Sequence, residues 1–330
     1  MKRYHLCGLG NAIVDLFVEV SDDQFAALGF ERGTMRLVDH AEQQTVLAKF
    51  AAVDPRLVSG GSVANSVIGF AALGGKGAFI GCVGDDRYGL HYQSELTGLN
   101  VALGNPVVVN QPTGTCCAII TPDAERTMRT CLAVSSHLSA DHVKADRHLI
   151  EQSAWLFIEG YLFSNGEVGQ AAVREAIAIA KASGTKVAVT CSEAFIVHVF
   201  GEHLYAALKD ADLFFCNASE ASAAANARDS QEAFQKLKDI VPNCVVTDGP
   251  AGAYVRWDGA EHHVPAFAVT PKDLTGAGDM FAGAFLYGVT HGVPADRAAK
   301  GANKLAAMVI SQVGARLHAG AKEQWAGVAG

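Results

Sequence analysis

The sequence predicts an α/β protein: a three-layer α/β/α sandwich on a mostly parallel sheet, with a small separate β layer acting as a lid. Three observations carry this. From Trp155 to Thr247 short apolar runs alternate with helical stretches, the pattern of strands covered by helices on both faces. Between Pro106 and Val134 the chain changes to short, Thr-rich segments separated by turns, like a small antiparallel sheet. Two glycine-rich turns, Gly60-Gly61 and Gly276-Ala277-Gly278, each lead into an apolar helix.

Taken in order, Tyr4 to Leu9 reads as a strand ending in Gly8-Leu9-Gly10-Asn11. Ile13 stands where a dinucleotide fingerprint needs its third glycine, which argues against a Rossmann cofactor site. Ile13 to Val20 continues as strand, with Asp15 its one charge near the start. Ser21-Asp22-Asp23-Gln24 is a capping box opening a short helix that Gly29 closes. Thr34 to Val38 reads as strand and Ala41 to Ala52 as helix. Ser59 to Ser66 is a turn leading into an apolar helix that reaches Leu73. Asn65 falls in its first turn, facing whatever the turn cradles; a plain loop and cap would give the same pattern.

Ala78 to Val83 is a strand, followed by a helix to about Leu96. Val107 to Val109, Thr115 to Thr121 and Arg126 to Val134 supply the lid strands. The charges Glu125, Arg126 and Arg129 read as solvated hairpin residues as readily as ligands. Strands Trp155–Ile158, Lys186–Thr190, Asp212–Cys216 and Cys244–Thr247 then alternate with helices Val168–Ala182, Glu202–Lys209 and a helical stretch to Ile240. Asp258-Gly259 marks a hairpin turn. The final helix is Ala295 to Ser311, carrying Asn303 among small residues. Residues 1–12, 40–104 and 135–330 are thus assigned to the core, and 13–39 and 105–134 to the lid.

With 330 residues, 50% hydrophobic and 18% charged, the chain can bury a sizeable core. A net charge of −8 argues against a nucleic-acid or anionic-membrane surface. Its 8 cysteines are scattered without a Cys-x-x-Cys, so they read as reduced core residues rather than zinc ligands or a dithiol. Asp15 and Glu19 interrupt what could pass for a signal peptide, and the uncharged stretch from Leu96 to Pro122 contains too many Asn and Pro residues for a membrane span. The expectation is a soluble, cytoplasmic protein.

Lys272 to Phe281 concentrates the chemistry. The amides of Gly276, Ala277, Gly278 and Asp279 would lie free at a helix start, where N–H donors and the helix dipole attract anions. A carboxylate there repels phosphate unless it has a task such as accepting a proton from an attacking hydroxyl. The pair makes sense as phosphoryl transfer, with amides holding the phosphate and Asp279 activating an alcohol. An N-capping Asp after a glycine loop would look the same. Ligands of such sheets bind beyond the C-terminal strand ends, where Glu159, Asn217 with Glu220, and Thr247-Asp248-Gly249 lie. No phosphate-binding P-loop or His-Glu-x-x-His occurs. Gly60-x-Ser62-x-Ala64 imitates a hydrolase nucleophile elbow, but no long β-branched strand runs into it.

Four motifs decide among these readings. Gly60-Gly61-Ser62-x-x-Asn65, Asn217-x-x-Glu220, Thr247-x-Gly249-x-x-Gly252 and Asp273-x-Thr275-Gly276-Ala277-Gly278-Asp279 together resemble the PfkB carbohydrate-kinase family, the ribokinase-like kinases, over nearly the whole chain. Within it, Gly10 to Asp15, Met35 to Asp39 and Glu125-Arg126-Thr127-Met128 are most similar to adenosine kinases and adenosine-kinase-like sugar and nucleoside kinases. The resemblance implies that Asp279 is the base and Gly276, Ala277 and Gly278 the anion hole. It places Asn11, Asp15, Gly60, Gly61 and Asn65 on the sugar, with Arg126 from the lid and Glu159 as further substrate candidates. Asn217 and Glu220 would organise Mg²⁺ through waters; Asn217, Thr247, Gly249, Gly252 and Asn303 would line ATP. Asp273, Thr275 and Gly314 match where relatives can hold a monovalent cation such as K⁺. Leu274 departs from the signature, and Tyr161-Leu162 leaves one ring where adenosine kinases tend to be aromatic.

The implied protein is an ATP-dependent kinase acting on a primary hydroxyl of a ribosyl compound, foremost a nucleoside. Its ligands are small molecules, and it is a monomer or a homodimer paired through the lid. A free-sugar kinase is the alternative within the class, and a non-catalytic sugar or nucleoside sensor outside it.

Overall fold

The computed structural model describes residues 2–50, 55–104, 106–123, 125–317 and 319–329. Its main sheet has nine strands in the order Ala260–Val264, Ala253–Trp257, Asn243–Thr247, Leu213–Asn217, Lys186–Thr190, Ser153–Glu159, Tyr4–Leu9, Gly77–Ile80 and Ala102–Gly104. The seven strands from Asn243–Thr247 to Ala102–Gly104 pair in parallel. The hairpin at the opposite edge is antiparallel. Alternate residues of one strand enter opposite cores. Leu6, Phe157, Phe215 and Val245 pack on one face, and Cys7, Leu156, Phe214 and Val246 on the other. This two-sided burial is why these strands are apolar throughout rather than alternating, and it makes the three-layer α/β/α sandwich.

The smaller sheet has five strands, ordered Met35–Leu37, Arg126–Cys131, Gly114–Ile120, Ile13–Glu19 and Arg56–Gly60. It owns a separate apolar cluster of Val18, Val20, Phe25, Val46, Phe50, Cys117 and Ile119. Ser21 and Gln24 form the expected capping box, and both Asp258 and Gly259 take the positive φ that a tight hairpin turn requires. All eight cysteines are free and buried. Among the described residues no helix is long and apolar enough to cross a membrane.

Several segments differ from the sequence reading. Arg56–Gly60 is a strand of the small sheet, paired antiparallel to Ile13–Glu19, although 40–104 was assigned to the core. It runs into Gly60 but is only five residues long with Val58 its one β-branched residue, so the long β-branched strand of a nucleophile elbow is absent here. Val107–Val108 pairs with Val83–Gly84 in a two-stranded ribbon rather than joining the lid. The helix expected at Ala41 to Ala52 spans His40–Ala48, and the end of the expected range lies outside the described residues. The helix before Leu213–Asn217 begins at Ala194 and bends at Phe200, where φ leaves the helical range. Ala295–Ile310 is followed by a further helix, Ala321–Ala329, which buries Trp325.

Candidate active site

Two helices meet where the sheets face each other. Ser62–Ala72 starts at Gly61 and Ala277–Thr290 starts at Gly276. They approach closely because a Cβ on Gly283 would stand 2.2 Å from the Ser66 carbonyl oxygen, a contact only glycine allows. Each helix opens on a glycine with positive φ, +104° at Gly61 and +79° at Gly276. Their first turns therefore converge. Asp279, third residue of its helix and half-buried, accepts from Ser62 Oγ at 2.6 Å and from Asn65 Nδ2 at 3.0 Å. The Ser62 hydroxyl thus donates to the Asp279 carboxylate, with no histidine beside it among the described residues that line the cavity.

Burial pushes the Asp279 carboxyl up to about 6, against the Ser62 and Asn65 hydrogen bonds and the Arg316 charge, which lower it. Near neutrality it is ionised yet close to its proton affinity, as a general base should be. Among the described residues nothing accepts from the amides of Gly276, Gly278 or Asp279, so they stand open at the positive end of the helix. A Cβ on Gly278 would meet no atom within 4 Å, and this residue faces free space. Ser62, Thr190, Asn217, Glu220, Thr247, Gly278 and Asp279 line a cavity of about 200 Å³ there.

Asn217 and Glu220 form a reciprocal cap at the start of the helix Ala218–Ala225. The Glu220 amide donates to Asn217 Oδ1 at 2.9 Å, and Asn217 Nδ2 donates to Glu220 Oε1 at 2.7 Å. Burial raises Glu220 to about 7. No group of three or more acidic, His or Cys side chains could hold a metal among the described residues. One carboxylate and one amide in a cavity wall fit a hydrated Mg²⁺ carried on phosphates, bound through waters. Thr247 shares this cavity. Gly252 takes φ +98° with its Cα against the Val264 carbonyl, and Asn303 Nδ2 donates to the Val264 and Pro265 carbonyls at 3.0 and 3.1 Å. Asn303 therefore shapes this edge through backbone and has its amide occupied. Gly249 is exposed.

Across from Asp279, Asp15 projects from the lid strand Ile13–Glu19, and no hydrogen bond from the described residues reaches its carboxylate. Burial raises it to about 6, with Arg316 and Arg126 opposing. Glu159 closes the floor. Its carboxylate, buried and raised to about 7, accepts from Asn11 Nδ2 at 2.7 Å and from the Val63 amide at 3.3 Å. Asn11 is buried and its amide oxygen accepts from Ser135 and Asn165, so it braces Glu159 instead of presenting itself to a sugar. A Cβ on Gly60 would strike Asp15, and one on Gly61 would stand 2.1 Å from the Asn11 carbonyl oxygen.

Arg126 spans the two sheets. Its guanidinium pairs with Asp273 at 2.7 Å and reaches Thr275 Oγ1 at 3.3 Å. Asp273 also accepts from the Thr275 and Gly314 amides at 3.1 and 2.7 Å. The three residues expected to hold a monovalent cation are therefore together, with the carboxylate's charge already met by Arg126. Leu274 is 71% exposed and turns away, so this departure from the signature leaves the anion hole intact. Tyr161 leans on Phe195, with ring centroids 6.2 Å apart, a neighbour that no motif signals. Arg316 was missed too, since it lies in an irregular segment.

Four acids here, Asp15, Glu159, Glu220 and Asp279, bind their protons more tightly folded than unfolded. Each adds stability below its ordinary value of 3.8 or 4.5, and that gain is lost as pH rises through the folded value of about 6 or 7. Thermal unfolding in the absence of ligand is expected to show a lower Tm at pH 8 than near pH 5.5. A Tm that rises over this interval would contradict the burial of these groups.

A carboxylate of raised proton affinity beside an open helix N-terminus, facing a polar cavity, is an arrangement able to hold an anionic group next to a proton acceptor. The comparisons give the class its family. The chain belongs to the pfkB family carbohydrate kinases, whose profile matches residues 35–320, and so to the phosphotransferases with an alcohol acceptor. It is similar to adenosine kinase of Saccharomyces cerevisiae, 28% identical over 93% of this chain and 94% of that one. It is also similar to 5-dehydro-2-deoxygluconokinase of Lacticaseibacillus casei, 30% identical over 94% and 91%. The solved adenosine kinase from Sinorhizobium meliloti matches with a TM-score of 0.86 at 29% identity, covering 97% of this chain and 98% of that one.

Proposed function

We propose that the protein transfers the γ-phosphate of ATP to a primary hydroxyl of a ribosyl compound, a nucleoside foremost. The observation that carries this is Asp279, half-buried with its proton affinity raised and set at the mouth of an unpaired helix N-terminus. The acceptor hydroxyl donates to the Asp279 carboxylate. Its oxygen bonds to the γ-phosphorus as the bond to the bridging oxygen of ADP breaks, and the proton passes to Asp279. The amides of Gly276, Gly278 and Asp279 receive the charge that spreads over the moving phosphoryl oxygens, whereas that of Ala277, expected among them, donates to the Leu274 carbonyl at 3.4 Å. Asp15, whose carboxylate takes no hydrogen bond from the described residues, accepts from two neighbouring sugar hydroxyls, and Gly60 and Gly61 let the backbone pass close to Asp15 and Asn11 beside it. Thr247, Gly249 and Gly252 flank the nucleotide, and Asn217 and Glu220 hold the waters of Mg²⁺, which supplies charge neutralisation on the phosphates. Arg126 draws the lid onto the anion-hole loop, which excludes water from the transfer. Lid pairing into a homodimer is supported by the edge strand Met35–Leu37, where Met35 is 50% and Leu37 59% exposed.

A free-sugar acceptor is the second reading, favoured by Tyr161, which is already engaged by Phe195 in a tilted contact at 6.2 Å rather than standing free as a stacking platform. Thermal-shift measurement with an ATP analogue and Mg²⁺ against nucleosides, ribose, fructose and sugar acids separates the two, because a specific binder stabilises the folded state by mass action. Stabilisation by adenosine, inosine or guanosine followed by turnover is the expected result. Shifts confined to sugars or sugar acids would overturn the nucleoside assignment.

A further inference from the structure

Arg316 sits two residues beyond Gly314 in a segment without regular structure, yet it reaches the reacting centre. Its Nε donates to Asn65 Oδ1 at 3.1 Å, and Asn65 Nδ2 donates in turn to Asp279 Oδ2 at 3.0 Å. Its Nη1 donates to Glu95 Oε1 at 3.1 Å. Glu95 is itself tethered, with Oε2 accepting from the Ser59 amide at 2.8 Å at the end of the lid strand Arg56–Gly60. We infer that Arg316 is a positioning residue for phosphoryl transfer, setting the direction in which the Asn65 amide addresses the base at Asp279.

The two ends of an amide have nearly the same shape, and only their partners tell them apart. A guanidinium offers donors alone, so it selects the Asn65 oxygen and forces the Asn65 NH₂ toward the carboxylate. The second anchor at Glu95 fixes the plane of the guanidinium, which a single hydrogen bond would leave free to turn. Asp279 selects the same orientation, but with Arg316 gone the amide is held at one end only and can turn about its side-chain torsions, so the direction of its hydrogen bond to the carboxylate is no longer fixed. The base would then lose its fixed aim at the acceptor. Among the described residues the buried Arg316 Nη2 finds no hydrogen-bond partner, which carries a cost. Such a cost is expected where a side chain is placed for function. The other charged or titratable groups around Asp279 are Asp15 from the lid, Glu159 and Tyr161 from the strand end, and Glu220 from the cavity wall. None of these donates to its carboxylate.

A double-mutant cycle on kcat tests this, using MgATP with adenosine or with whichever panel member is turned over. Arg316→Met is expected to lower kcat about 10- to 100-fold, the range for groups that orient a reacting residue from behind, with KM for ATP unchanged. In an Asn65→Ala background the same substitution should cost less than about threefold, because the amide it acts through is absent. Equal losses in both backgrounds, or a loss confined to KM, would overturn the inference. Should Arg316→Met not fold, Arg316→Lys enters the same cycle with the same criteria, since an ammonium lacks the planar fork that fixes the directions of the bonds to Asn65 and Glu95. The inference rests on Asp279 being the base. Wild-type turnover and the Asp279→Asn variant test that separately, so failure of the cycle in an active kinase counts against Arg316 alone.

Discussion

Asp279→Asn is expected to lower kcat by about 10²–10⁴-fold, the usual cost of removing a general base. Binding of ATP should survive. The replacement can satisfy both neighbours, its oxygen accepting from Asn65 Nδ2 and its NH₂ donating to the Ser62 oxygen, which accepts once its hydroxyl rotates. The substitution should also stabilise the protein near neutral pH. Wild-type Asp279 has its carboxyl raised from 3.8 to about 6, so the ionised form costs stability above that value, and an uncharged amide removes the cost. The Tm gain should shrink as pH falls below about 6 and vanish only below 3.8, where the carboxyl is protonated in both states. Turnover within a factor of about three of wild type would remove Asp279 from the role of base, because base catalysis contributes far more than that.

The paired variants Gly276→Ala and Gly278→Ala should part company. At Gly276 the backbone holds φ at +79°, and a Cβ would lie 2.4 Å from the Ala315 carbonyl oxygen. Left-handed backbone costs a non-glycine residue about 1–2 kcal/mol. The clash is with main chain, so the helix start must shift as well. Activity should fall by more than about 10²-fold, the scale of a 1 Å misplacement in a reacting constellation, with a lower Tm. Gly278 has room for a methyl group, and exchanging a helical glycine for alanine adds up to about 1 kcal/mol of helix stability. Gly278→Ala should therefore keep or raise Tm while weakening ATP and slowing transfer, because the methyl occupies the place of the phosphate. An unchanged Tm in Gly276→Ala would refute the strain argument. Unchanged kinetics in Gly278→Ala would show that the phosphate does not lie over this helix end.

What was legible in the sequence follows from where the signals are local. Lys186–Thr190 is a strand with the bounds its apolar run predicts, and the Ser21 and Gln24 caps form as written, because each depends on neighbours within a few residues. The Asn217-x-x-Glu220 motif is a helix cap and a cavity wall at once, and its place beyond a strand end, with its resemblance to a family motif, made it visible in the sequence. Arg56–Gly60 was not legible. Its register comes from pairing with Ile13–Glu19, some forty residues away, and its own sequence carries only five residues of pattern. Val107–Val108 has the composition of a lid strand, but its partner Val83–Gly84 lies on the core side. Arg316 carries no periodicity and joins the site across 251 residues of sequence to Asn65. Asn11 was found as a position, but its bonding was not legible. A motif marks a position, and only packing shows that its amide turns inward to Glu159.

The buried cysteines have a use of their own. Cys116, Cys117 and Cys131 belong to the small sheet, whereas Cys7, Cys216 and Cys244 are on main-sheet strands and Cys82 and Cys191 just beyond strand ends. A thiol reagent cannot touch any of them in the closed fold, so alkylation proceeds only as fast as the surrounding structure opens. The untouched polypeptide thus carries two sets of internal clocks, one timing the breathing of the lid and the other the loosening of the core. Mass-resolved labelling with and without an acceptor would read them side by side.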